Sequence, residues 1–374
     1  MILKVFALRN DQQFGQQVVE KLSQKKSFNG IRLSEHEEYA FEDGECYIAP
    51  RAGIRDNVRG CDVFVIASMY SDEKETVNDK IMKTLILIGA LRDASAARIT
   101  LVAPYYPYAR QDRKTTSRAP ITTKYLAGLF MRMWSDMVPT IDRLLALDVH
   151  NPTAIQNAYS IPVDLLEANR LFANFIIKSV ADWNIDPRTI TIMSPDAGGL
   201  GRARKFRKIL SDKFKVELGI ACLDKIHQGF EIRGYGIMGD VRGKNVLIYD
   251  DMISSARTAS ECVRACFPVD ERGNWANQVL GICAPHGLFV GKANENLADK
   301  RLPLVVIGDT IRPFRLNKDV LGKVRIINTT ELFAEAIIRI HQNDSISDLL
   351  SDGNDTDHRI GTHGQAPTPI LERI

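Results

Sequence analysis

No stretch of the 374-residue chain approaches the roughly 18 consecutive apolar residues that a membrane span requires, so no membrane partner is expected. The opening MILKVFALRNDQQFG lacks a basic flank, a long apolar run and a small-residue cleavage site, so no secretory signal is expected either. A charge excess is also missing: 49 basic residues against 46 acidic leave +3. A dedicated nucleic-acid binder would carry a larger surplus or a strong basic block, so no nucleic-acid partner is expected, although local anion sites stay compatible with this balance. The six cysteines, Cys46, Cys61, Cys222, Cys262, Cys266 and Cys283, form no CxxC pair. Cys262 and Cys266 stand four apart on an expected helix, but no His/Cys cluster follows them. All six read as buried reduced thiols in a reducing, cytoplasmic compartment. No fixed-period repeat is present.

What is present is the composition of a globular protein, 45% hydrophobic and 25% charged, in a chain long enough for two domains. Short apolar runs at 62–68, 98–104 and 143–149 read as buried strands, with helical spacing at 80–94 and 123–136 between them. The rhythm restarts after about residue 160, with strand-like runs at 189–196, 216–224, 244–251, 278–285 and 303–309. Helical segments are expected at 165–182, 201–213, 258–267 and 330–341. Apolar strands interleaved with helices predict the α/β class, two domains each with a mostly parallel sheet flanked by helices. Asn151, Pro152 and Pro162 punctuate the junction, giving expected domains 1–157 and 158–330. A helix at 331–349 is expected to pack back on the first domain, and the polar segment 351–374 to form a flexible tail.

In open α/β sheets, ligands sit beyond the carboxyl ends of the strands. Four strand ends carry chemistry. In VLIYDDMISSARTAS (246–260), an apolar strand ends in Asp250 and Asp251, and a small polar loop opens into a helix. Such a loop can hold a phosphate on its N–H groups, while paired carboxylates accept from sugar hydroxyls or approach a phosphate-bound Mg²⁺. The competing reading is an acidic helix start capped by Ser254 or Ser255. In TIMSPDAGGLGRARKFRK (191–208), Asp196 precedes Gly198, Gly199 and Gly201, but the Lys-Ser/Thr ending of a P-loop is missing. The basic residues at 202–208 read as a solvated face. LLALDVH (144–150) places His150 two residues after an acid, where it could ligate metal, contact phosphate or be structural. Finally, Arg110, Arg113, Lys114, Arg118 and Lys124 follow a Tyr/Pro-rich bend and suit a polyphosphate; an exposed basic loop is the alternative.

Together with FEDGE (41–45), RGCDVFVIAS, SRAPITTK, PHGLF and AEAIIRIH (334–341), these segments cover about 300 residues in one order. They resemble the ribose-phosphate diphosphokinase, or phosphoribosyl pyrophosphate synthetase, family. The resemblance implies two phosphoribosyltransferase-type domains, the first on the ATP side and the second on the sugar-phosphate side. It also implies a homo-oligomer, usually a hexamer built from dimers. The implied reaction transfers the β,γ-diphosphate of ATP to the C1 hydroxyl of ribose 5-phosphate, releasing AMP, with Mg²⁺ as cofactor. Residue by residue, the resemblance assigns Phe41, Asp43 and Glu45 to adenine, commonly across a subunit boundary. Arg110 and Gln111 would contact ATP, and His150 and Asp196 would serve the Mg²⁺-ATP site. Asp196, Asp250 and Asp251 would meet the sugar, and Ser254, Ser255, Ala256, Arg257 and Thr258 the 5-phosphate. Lys225 matches the mobile-loop lysine that neutralises the transferring group, and with Arg110 forms the catalytic set.

Two positions depart from the family pattern. A glycine normally precedes the last Thr of the 5-phosphate loop, and here that place holds Arg257. Glycine permits φ > 0 and close approach to phosphate; arginine trades that for a charged fork. The arginine usual two residues after the mobile-loop lysine is His227 here, with Arg233 the nearest substitute. Three readings follow: the family reaction; the same transfer to ADP-ribose, as in phage homologues that regenerate NAD⁺; and a non-catalytic regulatory homologue. Lys225, His150, Asp196 and the acid pair argue against the third. A phage origin would place the enzyme in host cytoplasm.

Overall fold

The structure is a computed structural model and describes residues 1–50, 57–132, 140–228, 231–267 and 276–350. The expected tail at 351–374 lies outside the described residues. Two compact units are present among the described residues, 1–167 with 330–350, and Ala168–Thr329.

The first unit opens with β1 (Leu3–Ala7), α1 (Gln12–Ser23) and a hairpin of β2 (His36–Ala40) and β3 (Cys46–Pro50). It continues through β4 (Asp62–Ile66), α2 (Val77–Asp93), β5 (Arg98–Ala103), α3 (Thr122–Arg132), β6 (Arg143–Leu147), α4 (Pro152–Ala158) and β7 (Val163–Leu166). The sheet runs β1-β4-β5-β6-β7, with every neighbouring pair parallel. All five residues of β4 are buried, because helices cover both faces and neither needs polar side chains. α2 starts where a capping box forms: the Thr76 side chain accepts from Asp79 N–H while the Asp79 carboxylate accepts from Thr76 N–H. β7 belongs to this unit, so the compact boundary falls after Glu167, ten residues beyond the expected 157/158. The Pro-rich punctuation there marks the start of α4 and the turn into β7. Asn151 caps α4, with Pro152 in its first turn.

The second unit comprises α5 (Asn169–Asp182), β8 (Ile190–Ser194), α6 (Leu200–Phe214), β9 (Gly219–Gln228), β10 (Glu231–Met238) and β11 (Asn245–Tyr249). Next come β12 (Met252–Ile253), α7 (Arg257–Cys266), β13 (Gln278–Ala284), β14 (His286–Gly287), α8 (Ala293–Leu297), β15 (Val305–Gly308), α9 (Lys318–Leu321) and β16 (Val324–Ile327). Its sheet is ordered β10-β9-β8-β11-β13-β15-β16 and is parallel except for the β9–β10 pair. Five cysteines are buried and Cys46 is half-buried, all as free thiols. Burial pushes the Cys266 thiol up to about 12, so it stays protonated and inert.

The chain then returns to the first unit as α10 (Thr330–Gln342) and α11 (Ser347–Leu350). Phe333 meets Phe14 of α1 edge-on at 5.5 Å between ring centroids. His341 Nδ1 lies 2.8 Å from Asp62 Oδ2, whose other oxygen accepts from Arg98 Nε at 2.8 Å. The continuous helix expected over 331–349 is in fact broken, because Asn343 adopts φ +59° and stops α10. None of the described helices is long and apolar enough to cross a membrane.

Candidate active site

The site residues expected from the sequence fall into two groups, one on each unit. On the second unit, β11 delivers Asp250 and Asp251 to its carboxyl end. Asp251 is buried at 3% exposure, and its N–H donates to Asp250 Oδ1 at 2.8 Å. Burial, and then the neighbouring Asp251 charge, push the Asp250 carboxyl well above the usual range; Arg202 partly offsets this. Arg202 Nη1 stands 3.4 Å from Asp251 Oδ1 and 3.8 Å from Asp250 Oδ1. The sequence grouped Arg202 with a solvated basic face. It is instead the only member of 202–208 that faces this acid pair among the described ion pairs, and its side chain is 18% exposed. The available signal was its place two residues after the start of α6, just beyond the glycine turn.

The loop after the acids is stitched to its neighbours through its carbonyls. The Ile253 carbonyl accepts from Leu288 and Phe289 N–H, Ser254 from Val290 N–H, and Ser255 from Asn296 Nδ2. Its own N–H groups are thereby aimed away from those partners. Ala256 sits at the N-terminus of α7 with φ +56°, and no side chain caps the helix, so the reading of Ser254 or Ser255 as caps is not what forms. An uncapped helix start behind a left-handed alanine is suited to an anion. The left-handed residue is thus Ala256, whereas Arg257 is already helical, so arginine in place of glycine costs no backbone strain here. The Arg257 side chain is 66% exposed, with Nε 3.1 Å from Glu261 Oε1. Thr258 follows it in the first turn.

Asp196 is exposed in the turn after β8, where its Oδ1 accepts from Gly199 N–H at 2.8 Å. A Cβ on Gly199 would come within 2.9 Å of Ser194 Oγ, so the turn requires glycine there; Gly201 faces open space. Lys225, which matches the family's mobile-loop lysine, lies on β9 opposite Tyr235 of β10. His227 pairs with Ile232, and Arg233 falls at a break in that register. One half-buried acid escaped the sequence reading. Asp309, just past β15, accepts at Oδ1 from Thr329 N–H (3.0 Å) and Thr329 Oγ1 (2.5 Å), while its Oδ2 is buried without a partner. Burial raises its carboxyl to about 6, outweighing the Thr329 bonds. A raised acid stabilises most below its unfolded value and loses that contribution as pH climbs through the folded value. Asp309→Asn should therefore gain stability relative to the parent by roughly 2–3 kcal/mol between pH 4 and 7. Denaturant melts across that range check it, and a pH-independent difference would contradict it.

On the first unit, β6 ends at Leu147, and Asp148 follows with a φ of +41° that turns the chain so that Val149 is buried and His150 half-buried. Asn151 Nδ2 donates to Asp112 Oδ2 at 2.5 Å, tying the 104–121 loop to this strand end. That contact brings exposed Arg110 and Gln111, just before Asp112, near His150, just before Asn151. Thr123 Oγ1 braces the loop by donating to Tyr108 O at 2.9 Å. Arg113, Lys114, Arg118 and Lys124 are exposed. Phe41, Asp43 and Glu45 lie at the β2–β3 turn, where Gly44 takes φ +93° and Asp43 Oδ1 accepts from Glu45 N–H at 3.1 Å. Phe41 is half exposed beside Tyr39, which stacks on Tyr47 at 4.7 Å. No group of three His, Cys, Asp or Glu side chains able to hold a metal occurs among the described residues. A hard cation carried largely by substrate phosphates needs only one or two protein oxygens, which the exposed Asp196 can supply.

Residues 3–133 match the N-terminal domain of ribose phosphate pyrophosphokinase, and residues 231–351 the phosphoribosyl synthetase-associated domain. A ribose-phosphate pyrophosphokinase of Gloeobacter violaceus is 36% identical over 83% of this chain and 84% of its own. One from Caldanaerobacter subterraneus is 34% identical over 93% of this chain and 98% of its own. The chain belongs to the ribose-phosphate pyrophosphokinase family. Its fold agrees: a crystal structure of phosphoribosylpyrophosphate synthetase from Mycobacterium smegmatis superposes with a TM-score of 0.74 at 27% identity, covering 92% of this chain and 100% of that one. Members are diphosphate-transferring enzymes.

Proposed function

We propose that this enzyme transfers the β,γ-diphosphate of ATP to the C1 hydroxyl of ribose 5-phosphate. The observation that carries the reading is the acid pair Asp250–Asp251 at the end of β11, backed by Arg202 and followed by the uncapped start of α7. The two carboxylates accept from neighbouring ribose hydroxyls, and the loop 254–258 receives the 5-phosphate. Arg257 leaves Glu261 to reach that phosphate, which makes it a replacement for the family's glycine rather than a defect. On the ATP side, Phe41 offers a ring to adenine, Asp43 and Glu45 flank it, and Arg110 and Gln111 meet the phosphates near His150. The half-exposed Phe41 suits an adenine site completed by a partner subunit in a homo-oligomer. His150 on the first unit and Asp196 on the second are the residues that would hold Mg²⁺, which would supply charge neutralisation to the ATP phosphates. Attack at the β-phosphorus forms the new C1–O–P bond and expels AMP, so the protein positions and neutralises without a covalent intermediate.

Incubation with Mg²⁺-ATP and ribose 5-phosphate should release AMP. ADP-ribose contains the same ribose 5-phosphate unit, and turnover with it alone would overturn the choice of acceptor. No AMP with either would overturn the enzyme reading. If Arg257 holds the 5-phosphate, Arg257→Ala should raise the KM for ribose 5-phosphate about tenfold with little change in kcat. An unchanged KM removes Arg257 from the site.

A further inference from the structure

The β2–β3 hairpin that carries Phe41, Asp43 and Glu45 has an unusual root. Glu38 is the single buried residue of β2, and Ile48, its cross-strand partner, is the single buried residue of β3. A hairpin docking on a core would normally bury an apolar pair at that register, whereas here half of the pair is a carboxylate. Glu38 Oε1 accepts from Lys83 Nζ of α2 at 3.0 Å. Its Oε2 accepts from Arg9 N–H at 2.9 Å and lies 3.0 Å from His36 Nε2. The Arg9 guanidinium donates to the Glu38 carbonyl, and Lys83 also pairs with Glu75. Both ends are ionised. Burial alone would push Glu38 up, but His36, Lys83 and Arg9 outweigh it and hold it at about 2. Burial opposes the Lys83 charge, and Glu75 and Glu38 outweigh that, pushing the ammonium up. Since ionised Glu38 can only accept, His36 Nε2 is the donor between them.

The other side of this root is open rather than packed. A cleft of about 230 Å³ lies there, lined by Leu33 and by six polar residues, Arg9, Gln12, Ser34, Glu35, His36 and Glu38. A directional ion pair also specifies what an apolar contact leaves loose. A one-residue slip of β2 would turn Glu38 to the opposite face and break its pair with Lys83, leaving Lys83 to Glu75.

We propose that Lys83 and Glu38 are positioning residues for ATP: their buried pair fixes the register and angle of the hairpin, and so places Phe41, Asp43 and Glu45 for the nucleotide. This rests on the proposed function, in which that hairpin binds adenine. Neither residue touches the reacting atoms, so kcat is spared once ATP is saturating.

Hydrogen exchange and steady-state kinetics test it together in the full chain. In Lys83→Met, amides of 36–50 should exchange at least tenfold faster while those of β4 and β5 stay protected. The KM for ATP should rise about tenfold, with kcat within threefold and the KM for ribose 5-phosphate within twofold. Lys83→Arg, which keeps the charge, should restore most of both. Glu38→Gln keeps an acceptor for Arg9 N–H and gives a milder version of the same pattern if Lys83→Met does not fold. Unchanged exchange at 36–50 would overturn the positioning role. Faster exchange with an unchanged KM for ATP would overturn its link to the nucleotide. Absence of AMP formation by the parent enzyme is a separate result, which would sink the functional reading instead.

Discussion

Asp251→Ala is expected to lower kcat/KM for ribose 5-phosphate by about 10²–10³-fold, while the KM for ATP moves less than threefold. The magnitude follows from what the carboxylate does in the proposed site. A buried acceptor that takes charge-assisted bonds from sugar hydroxyls contributes about 1.5–3 kcal/mol for each bond lost. Asp251 is 3% exposed, so water cannot readily replace it. Its removal also takes away the nearer of the two acids that Arg202 faces, at 3.4 Å against 3.8 Å for Asp250. A further consequence distinguishes loss of an acceptor from general damage. Burial is the larger cause of the raised Asp250 carboxyl and the Asp251 charge the second, so removing that charge lowers Asp250. The group then ionises at lower pH, and the acid limb of kcat/KM should move to lower pH in Asp251→Asn. A limb that stays in place or moves up would contradict the coupling, and unchanged activity would remove Asp251 from the sugar site.

The elements legible in the sequence are those whose environment is uniform. β4, β8 and β11 are buried along their whole length, so each shows as a mostly apolar run with polar residues near its ends. The same uniformity made Asp250 and Asp251 conspicuous, because two acids end such a run. The β2–β3 hairpin shows the opposite case. With one buried residue per strand, one of them Glu38, it has no hydrophobic period to read. Arg202 was hidden for a related reason: α6 carries five basic residues in seven, and only tertiary placement separates the one turned to the acids from the rest. The end of β7 was absorbed into an expected helix beginning at 165, because the strand has four residues and only Glu167 and Ala168 separate it from α5. The helix break at Asn343 depends on a single left-handed residue that Asn tolerates but does not demand. Ser254 and Ser255 had the composition of caps. Their failure to cap follows from the loop's carbonyl bonds to 288–290 and Asn296, partners about 35–40 residues away that local sequence does not reveal.

Lys225→Ala should lower kcat by about 10³-fold with the KM for ATP nearly unchanged. In the transfer, charge builds on the oxygens around the β-phosphorus as the bond to AMP lengthens, and a cation matched to that charge stabilises the transition state more than the bound substrates. Lysine suits the task as a compact point charge on a flexible stem, able to follow a group that moves during reaction. Lys225 stands on β9 opposite Tyr235, in the one antiparallel pair of a sheet that is otherwise parallel. A hairpin at the edge of such a sheet can open and close without disturbing the parallel core, which is what a cation needed only during transfer requires. Pre-steady-state mixing with Mg²⁺-ATP and ribose 5-phosphate separates binding from chemistry. A slow transfer step with normal ATP binding supports the role. An unchanged transfer rate would remove Lys225 from the mechanism and leave Arg110 as the cation to test.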